Sequence, residues 1–232
     1  MVDKTRIIRL HDGKIGKGKY VLYWMQAAQR AEYNHALEYA IEKANDLNVP
    51  VAAIFGITDD YPEANLRHYT FMLEGLRDAQ EGLKNRGIKL VVRYKSPVEA
   101  VLEMSKDACC VVVDAGHTHI QHKWRQNVGE NIDCLFEEVE TNLIVPVTEA
   151  SDKENFSAGT LRPRINKKLD QYMVKVKHSK PDRSSIRMKI KSFDISNVKK
   201  ALSKLNIDSS VKAVSSFFIG GEDRAKEILR YF

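Results

Sequence analysis

The chain has 232 residues, 43% hydrophobic and 29% charged, with a formal net charge of +6. That is long enough to bury roughly 70% of the unfolded surface, and the composition excludes collagenous and wholly disordered classes. No apolar run approaches the ~20 residues of a membrane helix, and residues 1–20 hold no apolar signal core, so a cytoplasmic protein with no membrane contact is expected.

Charge is uneven along the chain. Residues 1–151 carry 18 Lys and Arg against 22 Asp and Glu, a net −4, whereas residues 152–232 carry 19 against 9, a net +10. A cationic segment on a near-neutral domain points to a polyanion such as DNA, bound weakly through the basic C-terminal third. The alternative is a solubilising linker. Cys109, Cys110 and Cys134 form no CxxC. The first two alternate faces of one strand, which argues against a disulfide and for packing as small hydrophobes.

Residues 1–20 are expected to be a flexible basic entry. Within them Gly13, Gly18 and Lys19 almost spell a phosphate loop. Tyr20 stands where Ser or Thr must reach magnesium, and the loop precedes its strand instead of following it, so the pattern fails. Val21–Met25 is a continuous apolar run suited to a buried strand. Helical spacing follows from Ala31 to Leu47, and Asn48 and Pro50 end it. Val51–Phe55 is a second strand, which completes a βαβ unit. The pattern then repeats. Leu66–Arg86 is a helix stopped by Gly87, Ile88–Tyr94 a strand, and Ser96-Pro97 the start of a helix to about Lys106. Cys109–Val113 is a fourth strand, Gln121–Val128 a helix, Leu135–Val139 a fifth strand, and Asn142–Val147 a further extended stretch. This alternation specifies an α/β fold over residues 21–150: a doubly wound, Rossmann-like parallel sheet of five strands with helices on both faces.

Ser151 and Glu154 have capping-box spacing. They open a basic connecting segment, 151–195, that includes Arg162, Arg164, Lys167 and Lys168 and is interrupted by Pro163. Residues 196–232 read as short helices, Asn197–Leu205 and Glu222–Phe232, the second following Gly220-Gly221. Everything from Lys175 onward is expected to be loosely held.

Several of these motifs, in this order, resemble class II DNA photolyases, the light-driven cyclobutane-dimer repair enzymes, and in particular archaeal members. They are Tyr23-Trp24-Met25, Gln29-Arg30, Asn34-His35-Ala36-Leu37, Arg67-His68-Tyr69, Phe71–Leu76, Asn142–Pro146, Ala150–Glu154 and Thr160–Ile165. The resemblance implies an amino-terminal α/β domain that helps hold a flavin or deazaflavin antenna pigment. It also implies a carboxy-terminal helical domain that binds FAD and flips the lesion out of the duplex. The Gly220-Gly221 helix is similar to the start of that second domain. Nothing in the sequence matches its FAD pocket, tryptophan chain or lesion pocket, so no catalytic residue is assigned, and a separate chain carrying the FAD domain is the expected partner. Many members have Arg-Asp at Ala27-Ala28, an acidic residue at Tyr33 and tryptophan at His35, so the first loop here is less charged.

Ligands of open sheets sit at the carboxyl ends of strands. Met25 and Phe55 end adjacent strands, where they either line an apolar pocket for a flat ring or pack into the core. Asp114 either accepts a bond from a ribose or ring nitrogen or caps the following turn. Lys153 either faces an acidic pigment tail or the interdomain cleft, or merely belongs to the capping box. His117, His119 and His122 lack standard ligand spacing, and no metal is assigned. No Ser-His-Asp arrangement, nucleophile elbow or glycosidase carboxylate pair is discernible. Besides a photolyase α/β domain that is inactive alone, the sequence accommodates a stand-alone flavin, deazaflavin or nucleotide-binding module, or a non-functional remnant.

Overall fold

The computed structural model describes every residue except Ser215 and Ser216. Six strands, β1 (Ile7–Asp12), β2 (Tyr20–Trp24), β3 (Val51–Ile57), β4 (Lys89–Tyr94), β5 (Ala108–Asp114) and β6 (Leu135–Val139), form one sheet in the order β1-β6-β5-β2-β3-β4. Strands β2 to β6 are mutually parallel, as expected, and β1 joins β6 antiparallel. The sixth strand corrects the expectation of a flexible entry at residues 1–20. Its apolar content is low because it is an edge strand, half-exposed at Ile8 and Leu10 and bulged between Arg9 and His11. The near-phosphate loop lies at the amino ends of the strands. Gly13 passes against the Cys134 carbonyl and Gly18 against Ala108, so closely that a Cβ at either would collide with backbone. The glycines serve that close approach.

Strand residues alternate between two cores. Val21, Tyr23 and Met25 face α1 (His35–Asp46) and α2 (Leu66–Asn85), while Leu22 and Trp24 face α3 (Pro97–Ser105) and α4 (His119–Asn131). Helix α1 starts four residues later than its apolar spacing predicts. Asn34 caps it by accepting from the Leu37 amide at 3.0 Å, and residues 25–34 are needed as loop. Helix α2 ends at Gly87, whose φ of +79° is the left-handed conformation glycine tolerates. The three cysteines are buried and free, and burial pushes the Cys110 thiol up to about 12 and Cys134 to about 11.

Beyond the sheet the chain departs from expectation in three places. First, Asn142–Val147 is not extended. Pro146 caps the short α5 (Val147–Ala150), Ser151 ends it, and the Ser151 hydroxyl turns back on Lys153. The reciprocal side-chain bond expected at Ser151 and Glu154 lies instead at the start of α6 (Ala158–Asn166), where the Ser157 amide reaches Thr160 Oγ1 at 3.4 Å. Second, Pro163 lies inside α6 without breaking it. Third, the segment after α7 (Leu169–Tyr172) is strapped to the domain. Ser185 donates its amide to Gly87 O (3.0 Å) and accepts from the Lys89 amide (2.8 Å). Ser192 Oγ accepts from Val92 N (2.9 Å), and Phe193 N donates to Val92 O (2.7 Å). These bonds cover the outer edge of β4, which would otherwise present unpaired backbone groups. Ile195 and Ala201, the latter on α8 (Val198–Leu202), are buried against the α1/α2 side. A buried ion pair, Glu38–Arg86 at 2.7 Å, also holds Ser179, so the tail from Lys175 is anchored rather than loose. Among the described residues of the last third, Phe217, Phe218, the end of α9 (Glu222–Leu229) and the residues after it leave large apolar side chains uncovered, with Leu229 72% and Tyr231 87% exposed.

Candidate functional site

In strand order β4-β3-β2-β5-β6 the chain reverses direction of winding between β2 and β5, the switch point at which doubly wound sheets bind ligands. The first link there is Asp114, fully buried at the end of β5. Its Oδ1 accepts from Tyr23 Oη at 2.9 Å and Gln26 N at 2.8 Å, and its Oδ2 from Ala27 N at 2.5 Å and Ala28 N at 2.7 Å. Burial and the neighbouring carboxylate push the Tyr23 phenol well above its usual range, so it stays a donor. Asn34 Nδ2 donates to the same phenol oxygen at 2.9 Å. One carboxylate therefore folds the β2–α1 loop and ties it to the α1 cap. Asp114 reaches the switch point as expected, but it caps the loop after β2 rather than its own following turn, and both its oxygens are occupied.

That loop, the end of β3, the start of α2 and the first turns of α4 enclose a cavity of about 240 Å³. Met25, Phe55, Ile57 and Met72 supply apolar lining, and Trp24 contributes from β2. Tyr61 and Trp124 meet edge to face, with 6.0 Å between ring centroids. Gln26, Gln29, His68 and Gln121 bring polar groups to the lining. The volume lies just below the ~300 Å³ at which whole drug-sized ligands begin to fit. It suits a planar ring system, with any tail outside, and not a complete dinucleotide.

Behind the polar wall, Arg125 is almost fully buried. It donates from Nη1 to Gln26 Oε1 (2.7 Å) and from Nη2 to Gly116 O (2.7 Å), and pairs through Nε with Glu138. Burial raises the Glu138 carboxyl despite that guanidinium. His117 contacts Glu140 at 3.0 Å, and burial beside Arg125 lowers the His122 pKa. Among the described residues no three His, Cys, Asp or Glu side chains converge as a metal site.

The structure thus brings Met25 and Phe55 together at the cavity. Lys153 sits in an exposed turn and does not line it. Arg162, Arg164 and Lys167 are exposed on or just after α6, and Lys168 pairs with Glu149 at 2.7 Å. Sequence reasoning missed Tyr61, Trp124, Gln26, Gln121 and Arg125. The available signal was that Gln121 and Trp124 are three apart on a helix following a strand end, which puts both on one face.

The family model for DNA photolyase matches residues 21–183. The chain belongs to the DNA photolyase family. Over 161 residues, 69% of the chain, it is 48% identical to a deoxyribodipyrimidine photo-lyase of Methanothermobacter thermautotrophicus, of which it covers 36%. A second relative so named, from Arabidopsis thaliana, is 30% identical over 167 residues, 70% of the chain and 34% of that protein. The chain therefore spans about a third of the length of these curated relatives. The fold also matches the crystal structure of a bacterial class III photolyase from Agrobacterium tumefaciens, with a TM-score of 0.61 at 16% identity, over 79% of this chain and 39% of that one. Residues that are distant in sequence within the matched region meet in space: Arg30 Nη1 donates to Asn142 Oδ1 at 2.8 Å, and His68, Tyr69 and Met72 line the same cavity as Trp24 and Met25. Among the described residues no helix is long and apolar enough to cross a membrane.

Proposed function

We propose that these residues are the α/β part of a class II cyclobutane-dimer photolyase, contributing pigment binding and domain docking to light-dependent DNA repair. The observation that carries this reading is the aromatic-walled cavity at the strand ends, inside the region that matches the family. Met25, Phe55, Tyr61 and Trp124 would hold a flavin or deazaflavin ring there, and the ring would supply light absorption. FAD and the lesion belong to a helical domain, supplied by further chain or by a partner. Residues 1–232 alone are therefore inactive in repair. Exposed Phe71, Phe217, Phe218 and Ile219, beside α2, and the end of α9 fit an apolar contact with such a domain. Arg162, Arg164 and Lys167 supply weak, sequence-independent attraction for the DNA backbone.

The test is repair of a dimer-containing oligonucleotide under near-ultraviolet and blue light. The chain alone should be inactive, and addition of a class II helical domain loaded with FAD should give light-dependent repair above that of the domain alone. No gain on addition removes the photolyase reading. A second reading, a stand-alone flavin or deazaflavin module without catalysis, is favoured by one feature: the whole aromatic and polar lining comes from the α/β part, from Trp24 to Trp124. Ring binding without any effect on repair selects it.

A further inference from the structure

Gln26 and Gln121 each line the cavity, and each has its amide oxygen committed to the protein. Gln26 Oε1 accepts from Arg125 Nη1 at 2.7 Å. Gln121 Oε1 accepts from the Thr118 amide at 3.2 Å and hydroxyl at 3.0 Å, within the capping box of α4. An inverted amide at either residue would set N–H against N–H, so the protein fixes both orientations. Among the described residues the Gln26 amide nitrogen makes one long contact, 3.4 Å to Gln121 O. What the two side chains have left to offer is therefore N–H. Arg125 cannot relax this arrangement. It is buried, anchored by Glu138, and committed to Gly116 O and Gln26 at once. Gly116 lies against the Gln121 amide, and a Cβ there would run into it.

We propose that this cavity selects a flat heterocycle with hydrogen-bond acceptors along one edge, that Gln26 and Gln121 are the paired donors, and that Arg125 is the positioning residue that keeps Gln26 a donor. This rests on the reading of the cavity as a ring site and adds the polarity of the ligand. A carbonyl-edged ring satisfies both amides. A ring edged with amino groups meets N–H with N–H, which leaves the amide of the almost fully buried Gln26, beside the partly buried Gln121, without an acceptor, and an unsatisfied buried donor is costly.

Trp24 and Trp124, the only tryptophans, both line the cavity and report on its occupancy. The full chain would be titrated with lumiflavin, which carries carbonyls on one edge, and with proflavine, a three-ring compound edged with amino groups, and tryptophan quenching followed. Two bonds at roughly fivefold each give lumiflavin an advantage of about twenty-fivefold. Gln26→Leu should cut the lumiflavin-to-proflavine ratio by about fivefold, and Arg125→Met should do the same by freeing the Gln26 amide to invert. If Arg125→Met fails to fold, Gly116→Ala, which displaces the Gln121 amide, should lower the ratio in its place. Equal affinities, or a ratio unchanged in Gln26→Leu and Gly116→Ala, overturn the proposal and leave the ring site standing. Binding of neither probe overturns both.

Discussion

Replacing Asp114 with alanine separates a loop-folding carboxylate from a ligand-binding one. The side chain is fully buried and accepts four hydrogen bonds, at 2.9, 2.8, 2.5 and 2.7 Å. Its removal strands the Tyr23 hydroxyl and three consecutive amides. A buried donor left without a partner costs about 1–3 kcal/mol. The four losses do not add, because residues 26–28 can shift toward water once released. A total of about 4 kcal/mol is expected, similar to the loss of one member of a buried charged network. For a domain of this size that corresponds to a fall in Tm of about 8–16 °C. Asp114→Asn should fall between, since it keeps one acceptor oxygen and turns a donor on part of the amide run. Urea denaturation reads both, as a lower midpoint at unchanged slope. Asp114→Ala within about 1 kcal/mol of the parent would refute the loop-folding role. Loss of lumiflavin binding in Asp114→Asn at unchanged midpoint would assign the carboxylate to the ligand instead.

Two further outcomes are expected. Burial, with Arg6 and Arg30 nearby, pushes the His35 pKa down to about 4 from 6.5. The folded state thus binds fewer protons than the unfolded one between those values, so the stability His35 contributes is complete above about pH 6.5 and lost as pH falls toward 4. His35→Gln should flatten the stability slope across that window in urea midpoints at pH 7 and pH 5, and an identical slope in both proteins would count against it. Replacing Arg162, Arg164 and Lys167 together by alanine should weaken binding to any duplex and reduce the salt slope by about 2 to 3. An unchanged slope in a fluorescence-anisotropy titration would show that these cations are only solvated. Point substitutions serve better than truncation here, since residues 184–193 cover the edge of β4.

Strands β2, β3 and β5 were legible as apolar runs buried on both faces, and β4 and β6 as shorter apolar stretches, broken by Arg93 and by Glu137 and Glu138, between turn signals. Strand β1 was not, because an edge strand needs only one apolar neighbour row, and Ile7-Ile8-Arg9-Leu10 reads equally as a basic tail. The strap over β4 was illegible for a different reason. Its contacts are serine hydroxyls and backbone groups at Ser185 and Ser192, with Met188, Ile190 and Phe193 packing on the domain, too few and too scattered among basic residues to read as an element. At the site, apolar strand ends pointed to Met25 and Phe55, but Lys153 rested on a capping box that the fold places elsewhere. Gln26 and Arg125 are 99 positions apart in sequence and meet only because β2 and β5 are neighbours. No local pattern encodes such a pair.

The strap and the last helix make opposite demands on the final third of the chain. The Ser185 and Phe193 amides bond to Gly87 O and Val92 O, and Ile195 and Ala201 are buried, so opening that stretch exposes both apolar side chains and the edge of β4. Those amides should exchange with the slow core of the sheet. Helix α9 is held at its beginning by Glu222, which accepts from Ala31 N at 3.0 Å, and by Lys226 paired with Glu32 at 3.0 Å. An exposed ion pair adds little, and Ile228, Leu229, Tyr231 and Phe232 are 53%, 72%, 87% and 107% exposed. Their amides should exchange fast in this chain and slow on addition of a class II helical domain, which would bury the same four side chains. Hydrogen exchange followed by mass spectrometry resolves the two segments. Fast exchange at Ser185 and Phe193 would mean that the strap is not held by its serines. Slow exchange at Tyr231 and Phe232 before any domain is added would mean that the apolar end already has cover, and the docking role of α9 would fall with it.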